Sequence, residues 1–310
     1  MLEPRAADIE LVEVGPRDGL QNEPRVLDVG TRAELVRRLL DAGVRRMETV
    51  SFVHPDRVPQ MAGAEELFDA LPRDAGATFI GLVVNARGFE RARAAGVEEI
   101  NYVAVASDSF GQHNQGATIA QTLETWRDLA RSARAAGMRC AVTLSVAWGC
   151  PFEGEVPLAR FSEIVAALLE ENPLELGLAD TIGVAAPSEV QERIEAARSL
   201  AAEVPLRCHF HNTRNTGLAN VFAAHQAGVR SFDASCGGIG GCPFAPAATG
   251  NVPTEDVLYM FERMGIRTGI EIARIVETAR WLGDRLGHEV PGGVTRAGLF
   301  PPAARARQEA

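Results

Sequence analysis

Cys208-His209-Phe210-His211-Asn212-Thr213 follows an apolar lead-in, Val204-Pro205-Leu206-Arg207. In a strand, residues two apart share a face, so His209 and His211 present two imidazoles to the same side. Imidazole is a common metal ligand, and two at one strand end make half of a divalent-metal site. The same spacing also fits two surface histidines at a strand edge, so other groups must decide. Asp18 and Asn251 would complete a set of oxygen and nitrogen donors without thiolate. Such a set disfavours structural zinc and suits Mg²⁺ or Mn²⁺. Each member also has a plainer reading. Asn251 could be a turn residue after Gly250, Asp18 a loop cap, and Glu48 a strand residue salt-bridged inside the fold to Arg17.

These residues need elements to bring them together. Ile9 to Val14 is an apolar, β-branched run that stops at Gly15-Pro16, and reads as a first strand. Thr31, with Glu34 three residues on, predicts a capped helix that ends near Gly43. The pattern then repeats. Strands are expected over Arg46–Phe52, Thr78–Val83, Ile100–Val105, Cys140–Ser145, Leu174–Ala179, Leu206–His211 and Ser231–Ser235. Helices are expected near Gly63–Leu71, Gly88–Ala95, Thr118–Ala136, Pro157–Glu171, Pro187–Ala202, Thr216–Ala227 and Thr254–Met264. Eight strand–helix units of roughly 30 residues predict an α/β fold of the (β/α)8 TIM-barrel kind. A doubly wound open sheet is the runner-up, but no G-x-G-x-x-G follows the first strand. The expected layout is one TIM-barrel domain over 1–310: barrel about 9–266, an extra C-terminal helix about 268–286, and a fraying tail about 298–310.

Composition bounds the function. The chain has 310 residues, 46% apolar and 23% charged, as in soluble globular proteins. No apolar run approaches the roughly 20 residues that span a bilayer. The opening Met1-Leu2-Glu3-Pro4-Arg5 lacks the features of a signal peptide, so a cytoplasmic location is expected. A net charge of −10 argues against general nucleic-acid binding. Five cysteines without paired spacing read as reduced thiols rather than a disulfide framework.

In a TIM barrel, chemistry sits at the C-terminal ends of strands. Arg17 and Asp18, Glu48, Asp180, His209 and His211, and Asn251 all fall there or in the loops that follow. Buried inside a barrel, charged groups must be paired or ligated. Cys242 ends a loop with four glycines just before it, Gly237-Gly238-Ile239-Gly240-Gly241, which can bend its thiol over the barrel mouth. Cys140, Cys150, Cys208 and Cys236 read as small buried hydrophobes.

Together these segments resemble a known family. Val12-Glu13-Val14-Gly15-Pro16-Arg17-Asp18-Gly19-Leu20-Gln21-Asn22-Glu23 is similar to the opening motif of 3-hydroxy-3-methylglutaryl-CoA lyases of the DRE-TIM metallolyase superfamily. Val58-Pro59-Gln60-Met61, Gly149-Cys150-Pro151-Phe152-Glu153-Gly154, Asp180-Thr181-Ile182-Gly183-Val184 and Gly238-Ile239-Gly240-Gly241-Cys242-Pro243 follow in the family's order. The resemblance spans about Val12 to Gly269. It implies that Asp18, His209, His211 and Asn251 ligate the metal. It further implies that Arg17 stabilises an enolate and that Cys242 acts in proton transfer. Glu48 and Asp180 match acidic residues needed for activity. The implied reaction is the cleavage of a 3-hydroxy-3-methylglutaryl-CoA-like acyl-CoA into a keto acid (acetoacetate) and acetyl-CoA, an oxo-acid-lyase activity. Arg17, Gln21 and Arg214 are the expected substrate-binding groups, and a homo-oligomer, a dimer, is the expected assembly. One departure stands out. The family usually continues its histidines with Asp-Thr-Tyr-Gly, whereas this chain reads Asn212-Thr213-Arg214-Asn215. Asn after the second His is also common in acetyl-CoA-condensing relatives such as 2-isopropylmalate synthase. That synthase activity is one rival reading, and a metal-binding barrel without catalysis is another. Such synthases usually carry an extra C-terminal regulatory domain, and this chain's short stretch after the eighth helix weighs against the first. Arg17, Glu48 and Cys242 weigh against the second.

Overall fold

The computed structural model describes residues 7–241 and 250–300. Eight parallel strands close into a barrel: β1 (Glu10–Glu13), β2 (Arg46–Ser51), β3 (Thr78–Val83), β4 (Glu99–Val105), β5 (Arg139–Ser145), β6 (Leu176–Asp180), β7 (Leu206–Phe210) and β8 (Ser231–Ala234). They are hydrogen-bonded in chain order, and the seam pairs β1 with β8, Glu10 against Ser231 and Glu13 against Ala234. Helices cover the outside: α1 (Val29–Asp41), α2 (Ala64–Asp69), α3 (Ala86–Ala94), α4 (Asp108–Gln115), α5 (Ile119–Ala135), α6 (Leu158–Leu169), α7 (Pro187–Leu200), α8 (Gly217–Gln226) and α9 (Thr254–Arg263). The expected TIM barrel is thus the observed one. The extra helix α10 (Ile272–Leu286) packs on α1, where Arg38 lies over the Trp281 ring at 4.6 Å. No helix among the described residues is long and apolar enough to cross a membrane.

Local chemistry explains where expectation and structure part. The first helix begins at Val29, and its cap is Asp28, whose carboxylate accepts from Thr31 N at 2.7 Å. Asp caps a helix at least as well as Thr, and it comes three residues earlier. Glu34 pairs with Arg38 at 2.9 Å instead of closing a box on Thr31. At α5, expected to start near Thr118, a capping box does form. Thr118 accepts from Gln121 N, and Gln121 returns to Thr118 N at 2.9 Å. Three short elements carried too little periodicity to be predicted: α4, α11 (Gly293–Ala297), and a hairpin pairing Gly149–Cys150 with Gly154–Glu155. Of the four cysteines read as buried, Cys150, Cys208 and Cys236 are so, and Cys140 is only partly covered. The fraying tail was placed largely on residues outside the described ones.

The main apolar core fills the layer between strands and helices. Leu35, Leu39, Trp126, Phe161 and Phe261 are fully buried there, and Trp126 donates to the Leu168 carbonyl at 2.9 Å. A separate small cluster of Val12, Val14 and Ile80 is the apolar share of the lumen. Many of the other inward positions are polar and alternate along their strands: Arg46 and Glu48, Glu99 and Asn101, Arg207 and His209, Ser231 and Asp233.

Glu13, of the opposite parity, locks the seam from outside the lumen. Its Oε1 accepts from Gly15 N at 2.8 Å and Cys236 N at 2.9 Å, and Oε2 accepts from the Thr254 hydroxyl at 2.7 Å. Glu255 does the same next door, accepting from Gly237 N at 3.0 Å and the Thr295 hydroxyl at 2.6 Å. Burial pushes both carboxyls from their ordinary 4.5 up to about 7, against these donors. A carboxyl raised on folding adds stability below its unfolded value, and that contribution fades as pH rises through the folded value. Wild-type protein should therefore lose resistance to urea between about pH 5 and pH 8. Glu13→Gln, which keeps an acceptor for the two amides, should flatten that loss, leaving the share of Glu255. An unflattened profile of urea midpoint against pH would place the dependence elsewhere.

Candidate metal centre

After β1 the chain enters one π-helical turn, Gly15–Gly19, with Pro16 at its start. Arg17 N and Gly19 N both donate to the Val14 carbonyl, each at 3.1 Å. Wide turns of this kind are frequent at functional sites, because they re-aim side chains. Here the turn delivers Arg17 and Asp18 to the C-terminal mouth of the barrel. Arg17 donates to Glu48 and, at 2.7 Å, to Asp18. Gln21 donates to Asp18 Oδ1 at 3.0 Å, and Asn251 Nδ2 to Asp18 Oδ2 at 2.8 Å. Asp18 is thus oriented from three sides.

His209 ends β7 with its neighbour Phe210, and His211 follows in an isolated antiparallel bridge to Asn251. The segment Gly250–Val252 pairs with this strand end: Asn212 N donates to Gly250 O at 2.8 Å and Val252 N to Phe210 O at 3.1 Å. That pairing seats Asn251 beside Asp18. Gly240 makes room for it. Its φ is +114°, and a Cβ there would lie 2.4 Å from Asn251 Nδ2. One ligand atom each from Asp18, His209 and His211 lies within 4.8 Å of the others.

Asp18 and His211 are in the state that binds a cation. At His209, burial is outweighed by Asp233 and Asp18, which raise the imidazole, so a bound ion would take the place of its proton. Burial opposes charge on Asp18, but Arg17, the two imidazoles and Asn251 outweigh it and hold the carboxyl down at about 2. Burial also opposes charge on Asp233, and Arg207 and His209 keep it ionised. An ionised Asp233 accepts from His209 Nδ1–H at 3.1 Å, which turns Nε2 toward Asp18. Burial and the neighbouring His209 hold His211 neutral, at about 3. Its Nδ1 is buried with no hydrogen-bond partner among the described residues. A deprotonated carboxylate, a ring fixed in one tautomer and a neutral imidazole with an unmet nitrogen form a donor set that a divalent ion would satisfy.

The other expected residues divide. Glu48 is buried and held by Arg17 and by Asn101 Nδ2 at 3.0 Å, which is its ion-pair reading, and the pair sets it beside the Arg17 guanidinium. Asp180 instead accepts from Val184 N at 2.9 Å and Ala185 N at 3.1 Å, so its carboxylate shapes the turn after β6. Arg214 Nη1 is tied to the carbonyls of Ile182 and Gly183, both at 2.9 Å, in that same turn. Cys242 lies outside the described residues. Asp233, Asn101, Thr143 and Arg207 escaped notice in the sequence. Their signal was the alternation of polar residues along several strands, Arg207 with His209 and Ser231 with Asp233, which marks a polar lumen.

The set opens into a cavity of about 1140 Å³. Arg17, Asp18, His209 and His211 stand on its wall. It extends under the loops after β2, β3 and β4, past His54, Arg57, Asn85, His113 and Asn114. His113 stacks on Phe152 with ring centres 4.3 Å apart.

A family model described as HMGL-like matches residues 8–282 of the chain. The chain is 43% identical to the (R)-citramalyl-CoA lyase of Chloroflexus aurantiacus over 95% of its own length and 96% of that protein's. It is 38% identical to the hydroxymethylglutaryl-CoA lyase of Pseudomonas mevalonii, covering 97% and 99% of the two chains. The crystal structure of hydroxymethylglutaryl-CoA lyase from Pseudomonas aeruginosa superposes with a TM-score of 0.90, at 37% identity over 94% of this chain and 97% of that one.

His211→Ala tests the donor set directly. It should abolish stoichiometric Mn²⁺ retention, read by elemental analysis after desalting, while circular dichroism reports an intact barrel. Wild-type metal content in this variant would take His211 out of the set.

Proposed function

The chain belongs to the HMGL-like family, and on that premise we propose that it is a metal-dependent carbon–carbon lyase. Its substrate is an acyl-CoA like 3-hydroxy-3-methylglutaryl-CoA, cleaved to a keto acid and acetyl-CoA. The observation that carries this reading is the three-residue donor set on the wall of a large cavity, with the Arg17 guanidinium held beside it. Mg²⁺ or Mn²⁺ suits these oxygen and nitrogen donors. When bound, the ion supplies Lewis-acid polarisation of the tertiary hydroxyl and the free carboxylate.

The chain's own groups do the rest. Asp18 takes the hydroxyl proton, since both nitrogens of His209 are engaged, Nδ1–H with Asp233 and Nε2 in the donor set. The C2–C3 bond breaks, C3 becomes the ketone carbon, and the bonding pair passes into the thioester as an enolate. Arg17 is fixed by Glu48 and Asp18, so it needs no rearrangement to meet that negative charge. A proton delivered to C2, with Cys242 the proposed donor, completes acetyl-CoA. The arm of the cavity beneath the loops after β2 to β4 offers room for the thioester tail, with Arg57 placed to meet a phosphate. Gln21 acts by aiming Asp18. Arg214 contributes by ordering the turn after β6 rather than by direct contact, which its bonds to Ile182 and Gly183 support.

A second acid product is favoured by one observation. The relative at 43% identity acts on citramalyl-CoA, whose cleavage gives pyruvate in place of acetoacetate. Incubation with Mn²⁺ and each thioester, followed by identification of the acid, decides between them. Acetyl-CoA from neither, with free CoA released from acetyl-CoA and a 2-keto acid, would establish the condensing synthase instead. Arg17→Gln should retain metal and lower kcat on the better substrate by at least about a hundredfold, the scale of losing one preorganised charge contact. Unchanged turnover would leave Arg17 a structural role only.

A further inference from the structure

Below the donor set, the lumen holds a column of charges that the lyase chemistry leaves without a task. Arg207 stands on β7 two residues before His209 and is 1% exposed. Its Nε lies 3.3 Å from Asp233 Oδ1 and 3.4 Å from Glu175 Oε2, and Nη2 reaches the Thr143 hydroxyl at 3.4 Å. Glu175 is held in turn by Arg46 at 3.0 Å, which also pairs with Glu99 and Glu10, each at 2.7 Å. From the mouth downward the signs alternate: imidazole, carboxylate, guanidinium, carboxylate, guanidinium, carboxylates.

Two paths leave Arg207 for the site. One runs through Asp233, whose second oxygen receives His209 Nδ1–H. The other runs through Thr143 to Asn101 Oδ1 at 3.1 Å, from Asn101 to Glu48 at 3.0 Å, and from Glu48 to Arg17. A carboxylate between two partners cannot turn about its own axis without losing one of them. Arg207 holds Asp233 by charge, since neither Arg207 Nε nor Asp233 Oδ1 has a hydrogen-bond partner among the described residues, and Asp233 orients the ring of His209 through the hydrogen bond at Nδ1. The planar fork of a guanidinium reaches both directions at once, which an ammonium on a flexible stem does not.

We infer that Arg207 is a positioning residue for the metal centre, holding ligand His209 on one side and the Arg17 clamp on the other. The inference rests on the metal reading given above. Partners one step behind a ligand typically set metal affinity by 10- to 100-fold or about that range. Arg207 stands one step further back, behind Asp233, so in chelator-stripped protein Arg207→Met should weaken Mn²⁺ binding, measured by calorimetry, by about the lower end of that range, roughly tenfold. It should also shift the visible absorption of the Co²⁺-substituted protein, which reports ligand geometry, and lower kcat more than it raises KM. A role in folding alone would lower the melting temperature and leave the Mn²⁺ affinity and Co²⁺ spectrum as in wild type, and that result overturns the inference. Arg207→Lys keeps the buried charge and loses the fork. Should the Met variant fail to fold, the Lys variant must show the same changes in lesser degree, and wild-type values in it overturn the inference equally. Wild-type protein that takes up no Mn²⁺ in the same titration would instead defeat the metal reading itself, a result distinct from that of either variant.

Discussion

A buried carboxylate or guanidinium without a partner costs several kcal/mol, and the barrel's interior is built under that constraint. Glu48, Glu99, Glu175, Asp233, Arg17, Arg46 and Arg207 all lie within it or at its mouth, and each is paired. Most members share partners, Arg46 with Glu10, Glu99 and Glu175, and Glu99 with Arg139 as well, so removing one unbalances the charges of several others. This arrangement depends on the apolar layer outside. Because Leu35, Leu39, Trp126 and Phe161 are buried between strands and helices, the fold does not need an oily lumen. The lumen is left for chemistry, with Val12, Val14 and Ile80 as its small apolar remainder.

The division between what the sequence made legible and what it hid follows from range. The barrel was legible because each strand–helix unit is local, and eight repetitions average out errors at the ends. His209 and His211 were legible because strand parity alone puts them on one face. Asp18 and Arg17 were legible through the density of polar groups directly after a buried strand. Asp233 was not, because its meaning lies in β7, the neighbouring strand whose register sets it beside His209. Nothing in the run Ser231-Phe232-Asp233-Ala234 announces that. Asp180 ends its strand and Arg214 follows the histidines, and the hydrogen bonds of both go to backbone groups of one turn. Position at a strand end is necessary for a role in chemistry, and the direction of the side chain decides the rest. The missed cap at Asp28 belongs with these, since two good capping residues three apart cannot be ranked without the backbone that follows them.

The turns after β1 and β8 behave as one unit. Glu13 ties Gly15 to Cys236 and Thr254, while Glu255 ties Gly237 to Thr295. Arg17 and Asp18 begin two residues from one of these knots, and Asn251 begins three residues from another. The geometry of the donor set is therefore inherited from buried carboxyls that never face it. Asn22 reinforces the link from the solvent side, donating to the Gly241 carbonyl at 2.7 Å.

The seam has a consequence for how the molecule comes into being. Asp18 and Asn251 touch across 233 residues of chain, and the strands that bring them together are the first and last of the ring. A growing chain on the ribosome can assemble its early strand–helix units one after another. Its first strand meanwhile keeps a bare edge, and such edges invite pairing with other chains. Contacts of this span are slow to form, since a long loop must close before they give any return. The donor set of Asp18, His209 and His211 spans this seam, so a fragment that lacks either end lacks one of its donors. A divalent ion that binds only the closed ring draws the equilibrium toward closure by mass action.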